Sequence, residues 1–167
     1  ESWLMDRGLL QELNTERASR RACVVVTHLR SGQQRLVREL ESETDALADE
    51  IRKALLSGKA GLVGDDIFLN AHLPPARIIV IGAVHISQAL APMARLAGFD
   101  LMIIDPRTAF ATSDRFPNVE LRSEWPDVVL RDLPLDPYCA LVAVTHDPKI
   151  DDGPLLAALA AGCFYIG

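Results

Sequence analysis

The sequence predicts an α/β fold: a parallel-sheet domain of nucleotide-binding type, preceded by a small α+β domain. Three observations predict it. Residues 76–105, ARIIVIGAVHISQALAPMARLAGFDLMIID, form an apolar run broken by Gly82, then a helical pattern, then a second apolar run ending in an acid. That is the order of a strand, a crossover helix and a parallel strand. Strand-like and helix-like segments keep alternating to the end of the chain, the signature of a parallel sheet with right-handed crossovers. Pro74 and Pro75, neither able to continue a strand ladder, separate this part from what precedes it. The domains expected are therefore residues 1–74 and 75–167.

Taken in order, residues 1–19 carry a helical pattern with Leu9, Leu10 and Leu13 on one face. Residues 22–29 and 35–40 read as strands of a hairpin turning at Ser31 and Gly32. Residues 45–57 place Leu47, Ile51 and Leu55 at helical spacing, with Ser42 and Thr44 as capping candidates and Gly58 as the stop. A second hairpin is expected over residues 61–73, with Gly64 and Asp65 in its turn. Beyond the prolines, strands are expected at 77–81, 99–104, 119–121, 139–144 and 164–166, and helices at 86–97, 127–133 and 153–161. Pro92 should remove one backbone bond from the first of these helices, the one to the Gln88 carbonyl.

Composition narrows the function. Hydrophobic residues make up 49% of the chain and aromatics 5%, which suits a core of Leu, Val, Ile and Ala in strands covered on both faces. A net charge of −6 and a pI near 5.2 argue against a nucleic-acid binder, which relies on neutralising phosphates, and against an anionic membrane surface. Cys23, Cys139 and Cys163 are too few and too widely spaced for a disulfide framework or a zinc site, so reduced, buried thiols are expected. No stretch has the length and hydropathy of a membrane span, and the start lacks a secretory pattern, so a cytoplasmic protein is expected. The chain begins with Glu and stops at Gly167 in a strand exit; we read it as trimmed at both ends.

In an open parallel sheet, ligands bind beyond the carboxyl ends of the strands. The residues there are Gly82, Ala83, Val84 and His85, then Asp105 and Arg107, then Thr145, His146 and Asp147. Gly82 lets the chain turn into a helix whose first N–H groups face an anion. The dinucleotide fingerprint is incomplete, because Val84 and Ser87 stand where its second and third glycines would fall. Asp105 occupies the place of a ribose-binding acid, although any strand–helix loop tolerates an acid. Arg107 suits a phosphate, or an ion pair with Asp105 or Asp114. His85 faces a ligand or caps a turn. His146 contacts a ligand or only backbone, with Asp151 or Asp152 capping the following helix and Pro154 in its first turn. His28 and His72 read as structural. A helix end contributes about 0.3–1 kcal/mol to a nearby charge against roughly 4–15 kcal/mol of lost freedom on association, so other groups must share in holding a ligand. No Ser-His-Asp set, carboxylate pair or metal spacing stands out, and the crevice reads as one for binding more than for catalysis.

Four segments carry a resemblance: IGAVHISQALAPMARLAGFD from Ile81, IDPRTAFATSDRFP from Ile104, VTHDPKIDD from Val144, and the closing CFYIG. Together they resemble the XdhC-type accessory proteins, which include xanthine dehydrogenase accessory factors and the CoxI proteins of carbon monoxide dehydrogenase clusters. The resemblance covers Pro75 to Gly167 and far less of the first 74 residues. It implies a Rossmann-like domain and a role in maturing molybdenum hydroxylases. That role is to bind the molybdenum cofactor (molybdopterin), allow its sulfuration by a cysteine desulfurase or sulfurtransferase, and deliver it to an apo molybdenum hydroxylase. Two alternatives remain: an NAD(P)-dependent oxidoreductase, motivated by the strand–helix–strand unit and Asp105, and a module that assembles as a homodimer around a vestigial crevice.

Overall fold

The computed structural model describes residues 6–167, and the predicted helical start over residues 1–5 lies outside them. The described residues fall into two compact units that divide between Pro74 and Pro75.

The first unit is α+β. Helix α1 (Arg7–Ala18) is capped by Asp6, whose carboxylate accepts from the backbone N–H groups of Gly8 and Leu9. Strands β1 (Cys23–His28) and β2 (Gln34–Arg38) form the expected antiparallel hairpin. After a 3-10 segment, Glu39–Thr44, comes α2 (Ala48–Ser57), ended by left-handed Gly58 at φ 64°. Strands β3 (Gly61–Val63) and β4 (Ile67–His72) make the second hairpin. The two hairpins join through β1 and β4 into one antiparallel sheet, order β2-β1-β4-β3.

One face of that sheet, with Val24, Val26, Val37 and Leu69, packs on Ile51 and Ala54 of α2. The other, with Cys23 and Val25, packs on Leu13 of α1. Leu10, expected on the buried face of α1, is exposed, and Glu16 is buried in its stead. Glu16 is stabilised there by Arg21 at 2.6 Å and Arg38 at 3.0 Å. Ser42 and Thr44 do not cap α2: their hydroxyls donate back to the carbonyls of Glu39 and Glu41. The residue before α2 is Leu47, whose N–H goes to Asp45.

The second unit is a parallel α/β domain. Its elements are β5 (Arg77–Ile81), α3 (His85–Leu96), β6 (Asp100–Ile104), β7 (Glu120–Arg122), α4 (Pro126–Asp132), β8 (Cys139–Ala143), α5 (Pro148–Ala161) and β9 (Tyr165–Ile166). All strand pairs are parallel, in the order β7-β6-β5-β8-β9. Alternate residues serve the two faces, as the strand period requires. Ile79, Ile81, Met102, Ile104 and Leu141 meet Val129 of α4 and Ile150 and Ala158 of α5. Val80 and Ile103 meet Ala83, Ala111 and Phe116 on the opposite face.

From β5 the chain proceeds to β6 and β7 on one side, then returns to β8 and β9 on the other. This reversal leaves a crevice beyond the carboxyl ends of β5 and β8, the switch point at which such sheets bind ligands. Helix α5 begins five residues earlier than expected. Asp147 is its N-cap and Pro148 its first residue, so neither Asp151 nor Asp152 caps it, and Pro154 lies in its interior. Cys23 and Cys139 are buried, whereas Cys163 is only half-buried.

Candidate functional site

The turn out of β5 is held at every backbone polar group of Gly82 and Ala83. Gly82 N–H donates to the Ile104 carbonyl at 2.8 Å, and Ser87 Oγ donates to the Gly82 carbonyl at 2.6 Å. Ala83 N–H donates to Asp105 Oδ2 at 2.7 Å, and Arg115 Nη1 donates to the Ala83 carbonyl at 3.0 Å. Gly82 has φ 124°, and a Cβ there would stand 2.9 Å from Thr145 Cγ2 and 3.3 Å from Thr145 N. Only glycine brings β5 and the end of β8 this close. Ser87, at the place of a fingerprint glycine, pins the turn instead.

Asp105 is completely buried. Its Oδ1 accepts from Arg107 N–H and Nε, both at 2.9 Å, and its Oδ2 accepts from Arg107 Nη2 at 2.8 Å as well as from Ala83. Burial pushes this carboxyl up, but the Arg107 guanidinium and the two N–H groups outweigh it and hold Asp105 below the usual carboxylate range. The place of a ribose-binding acid is thus taken by an internal staple. Of the two ion pairs expected for Arg107, the one with Asp105 forms. The guanidinium remains about a third exposed, with Nη1 making no hydrogen bond among the described residues, and it lies over the Phe110 ring at 4.8 Å.

The loop after β8 supplies the third side. Thr145 Oγ1 donates to buried Asp151 at 2.7 Å, His146 N–H donates to the same carboxylate at 2.8 Å, and Asp147 N–H donates to Thr145 Oγ1 at 3.1 Å. His146 sits at φ 61°, strained for a residue with a side chain, while its imidazole is exposed. Asp147 and Asp151 both act electrostatically on Arg107, so the second and third strand ends share one field.

Gly82, Ala83, Asp105, Arg107, Thr145, Asp147 and the His146 backbone are therefore brought together. Val84 is the N-cap of α3 and has no acceptor, and among the described residues no side chain takes the first-turn N–H groups. His85, the first helical residue, is exposed, and its imidazole makes no hydrogen bond among the described residues. Sequence reasoning missed Arg115, Ser87 and Asp151. Ser87 was visible only as an absent glycine and Asp151 only as a capping candidate. Arg115 stands in an irregular segment with no spacing signal. Among the described residues no cluster of three or more His, Cys, Asp or Glu is placed to hold a metal ion, and no helix is long and apolar enough to cross a membrane.

A glycine turn, a parallel sheet reversing at its crevice and an uncapped helix start define a nucleotide-binding-type α/β protein. Residues 78–167 match the XdhC Rossmann domain, and the chain belongs to that family. It is 29% identical over 103 residues to a probable xanthine dehydrogenase subunit of Bacillus subtilis (strain 168), a match covering 61% of this chain and 31% of that protein. The crystal structure of a xanthine dehydrogenase from Bacillus halodurans superposes with a TM-score of 0.58 at 21% identity, covering 97% of this chain and 51% of that one. That likeness is one of fold. The chain spans about a third of the curated relative and half of the solved one.

Proposed function

We propose that this chain is the cofactor-handling part of an accessory protein of molybdenum hydroxylases. It takes the molybdenum cofactor as cargo, holds it while a cysteine desulfurase or sulfurtransferase acts, and passes it to an apo enzyme of the xanthine dehydrogenase or carbon monoxide dehydrogenase type. Membership of the XdhC family supports the pathway. The observation that carries the choice of ligand is the use made of Asp105: both its oxygens are engaged by Arg107 and Ala83, which disfavours a nucleotide held by its ribose diol.

A phosphorylated pterin asks less of that acid. Its phosphate would meet the uncapped N-terminus of α3, where His85, Ile86 and Ser87 contribute backbone N–H groups, and the free edge of Arg107. Thr145, His146 and Asp147 would border the ring edges, with the exposed His146 imidazole as a donor or acceptor. The rigid turn at Gly82 limits the reorganisation that binding must offset. NAD(P) is the second reading, favoured by the strand order, the glycine turn and the uncapped start of α3.

The test is co-elution. The protein is mixed with molybdenum cofactor and, separately, with NADPH, and the ligand travelling with it through a sizing column is quantified. Stoichiometric retention of the pterin, lost in Arg107→Ala, is expected. Retention of NADPH alone would replace this reading with the oxidoreductase one.

A further inference from the structure

A groove of about 800 Å³ runs beside α3, bordered by Arg77, Arg95, Phe99, Asp100, Arg115 and Phe116 among others. It exists because residues 105–119, which join β6 to β7, contain no helix. Strand β7 pairs only with Met102, Ile103 and Ile104, so among the described residues no strand lies beside the outer edge of β6 at Asp100 and Leu101. Pro117 has no N–H to donate and Asn118 is left-handed at φ 60°, which ends the ladder at this point. The volume is that of a small-molecule site.

The groove's charge is unbalanced. Arg77, Arg95 and Arg115 make no ion pair among the described residues, and Arg77 Nη1 is buried with no hydrogen-bond partner. Such orphaned buried donors are rare. Arg115 directs its N–H groups to the carbonyls of Ala83 and Phe110 and to Gln88 Oε1, so its charge is not neutralised. On the acidic side stand Asp100 and Glu120, and Glu120 is bound by Arg122 at 2.7 Å. In a chain of net charge −6, guanidinium outnumbers carboxylate here.

We propose that this groove binds a small multivalent anion, carrying either several carboxylates or a pyrophosphate group, between Arg77 and Arg95. Arg77 begins β5 and Arg95 stands in the last turn of α3, so the anion lies toward the amino ends of the strands, away from the crevice beyond Gly82. Arg115 borders the groove nearer the glycine turn, where it holds the Ala83 carbonyl.

The experiment is calorimetric titration of the chain with citrate and with pyrophosphate at constant ionic strength. We expect saturable binding of one of them with Kd below about 1 mM, and which one binds tells carboxylate from phosphate. Arg95→Gln, an exposed position that leaves the fold intact, should weaken it about tenfold or more, as should Arg77→Gln. Arg107→Gln, which alters the crevice, should leave it in place. No saturable binding of either anion would overturn the proposal, as would binding indifferent to Arg95→Gln or binding abolished by Arg107→Gln alone. None of these outcomes depends on whether the crevice takes the molybdenum cofactor.

Discussion

Gly82 combines two demands that no other residue meets: a backbone at φ 124° and a Cα against Thr145. Gly82→Ala should therefore cost about 2–4 kcal/mol from strain and overpacking, read as a lowered urea midpoint with an unchanged slope. A midpoint close to that of the parent would mean that the turn has room to relax. At Asp105 the charge is buried and its principal partner is Arg107. Arg107→Ala leaves that carboxylate with only two N–H donors, and a loss of about 2–3 kcal/mol is expected. Adding Asp105→Asn should recover part of the loss, because the uncompensated charge is gone; a strictly additive double variant would show that the two side chains do not act as a pair. The sequence placed both residues at the crevice. It offered their ion pair as one alternative but did not choose it over a phosphate contact or a pair with Asp114, because the choice depends on Ala83 N–H meeting the same carboxylate across the strand end.

At the scale of elements, helices and strands follow the periodicity closely where both ends carry a signal. Gly58 ends α2 as expected, and the strands of the parallel sheet lie within a residue or two of the positions read from apolar runs. The misplacement at α5 has a physical cause. Asp147 followed by Pro148 is a complete helix start, but the later Pro154 reads as a first-turn proline as well, and local sequence cannot rank the two. Only Ile150 and Ala158 packing on β8, with Asp151 drawn onto Thr145 and His146, decides for the earlier start. Helix α3 runs through Pro92, whose side chain is exposed. Pro92→Ala restores an N–H toward Gln88 without disturbing a core contact. A gain of about 1–2 kcal/mol is expected by thermal or urea unfolding, and a loss would mean that the proline ring itself packs in the native state.

Across the whole molecule, acid sensitivity should come from groups in both units. Arg21 and Arg38 lower Glu16, Arg35 lowers Asp45, and Asp105 is likewise depressed in spite of its burial. A carboxylate lowered in the folded state adds stability that is present above its unfolded pKa and is lost as pH falls through the folded value. Burial, with Arg17 nearby, also lowers His72, whose Nε2 has no hydrogen-bond partner. Its contribution is complete above about pH 6.5 and declines below it. Urea unfolding from pH 7 downward should show a first decline beginning near pH 6.5, absent in His72→Gln, and a steeper one below about pH 4. A flat profile to pH 3 would contradict the ion-pair account.

Some of this protein was determined by its sequence alone: the α/β class, the break at Pro74 and Pro75, the glycine turn, and the three strand ends that meet at the crevice. Those features rest on local causes, namely hydrophobic period, proline and glycine backbone limits, and the rule that parallel strands need crossovers. Tertiary structure alone decided four others: the joining of two hairpins through β1 and β4, the closure of Asp105 onto Arg107, the reach of Arg115 to Ala83, and the open edge of β6. Each depends on which groups lie within hydrogen-bonding distance once distant segments pack, and neighbouring residues carry no record of that.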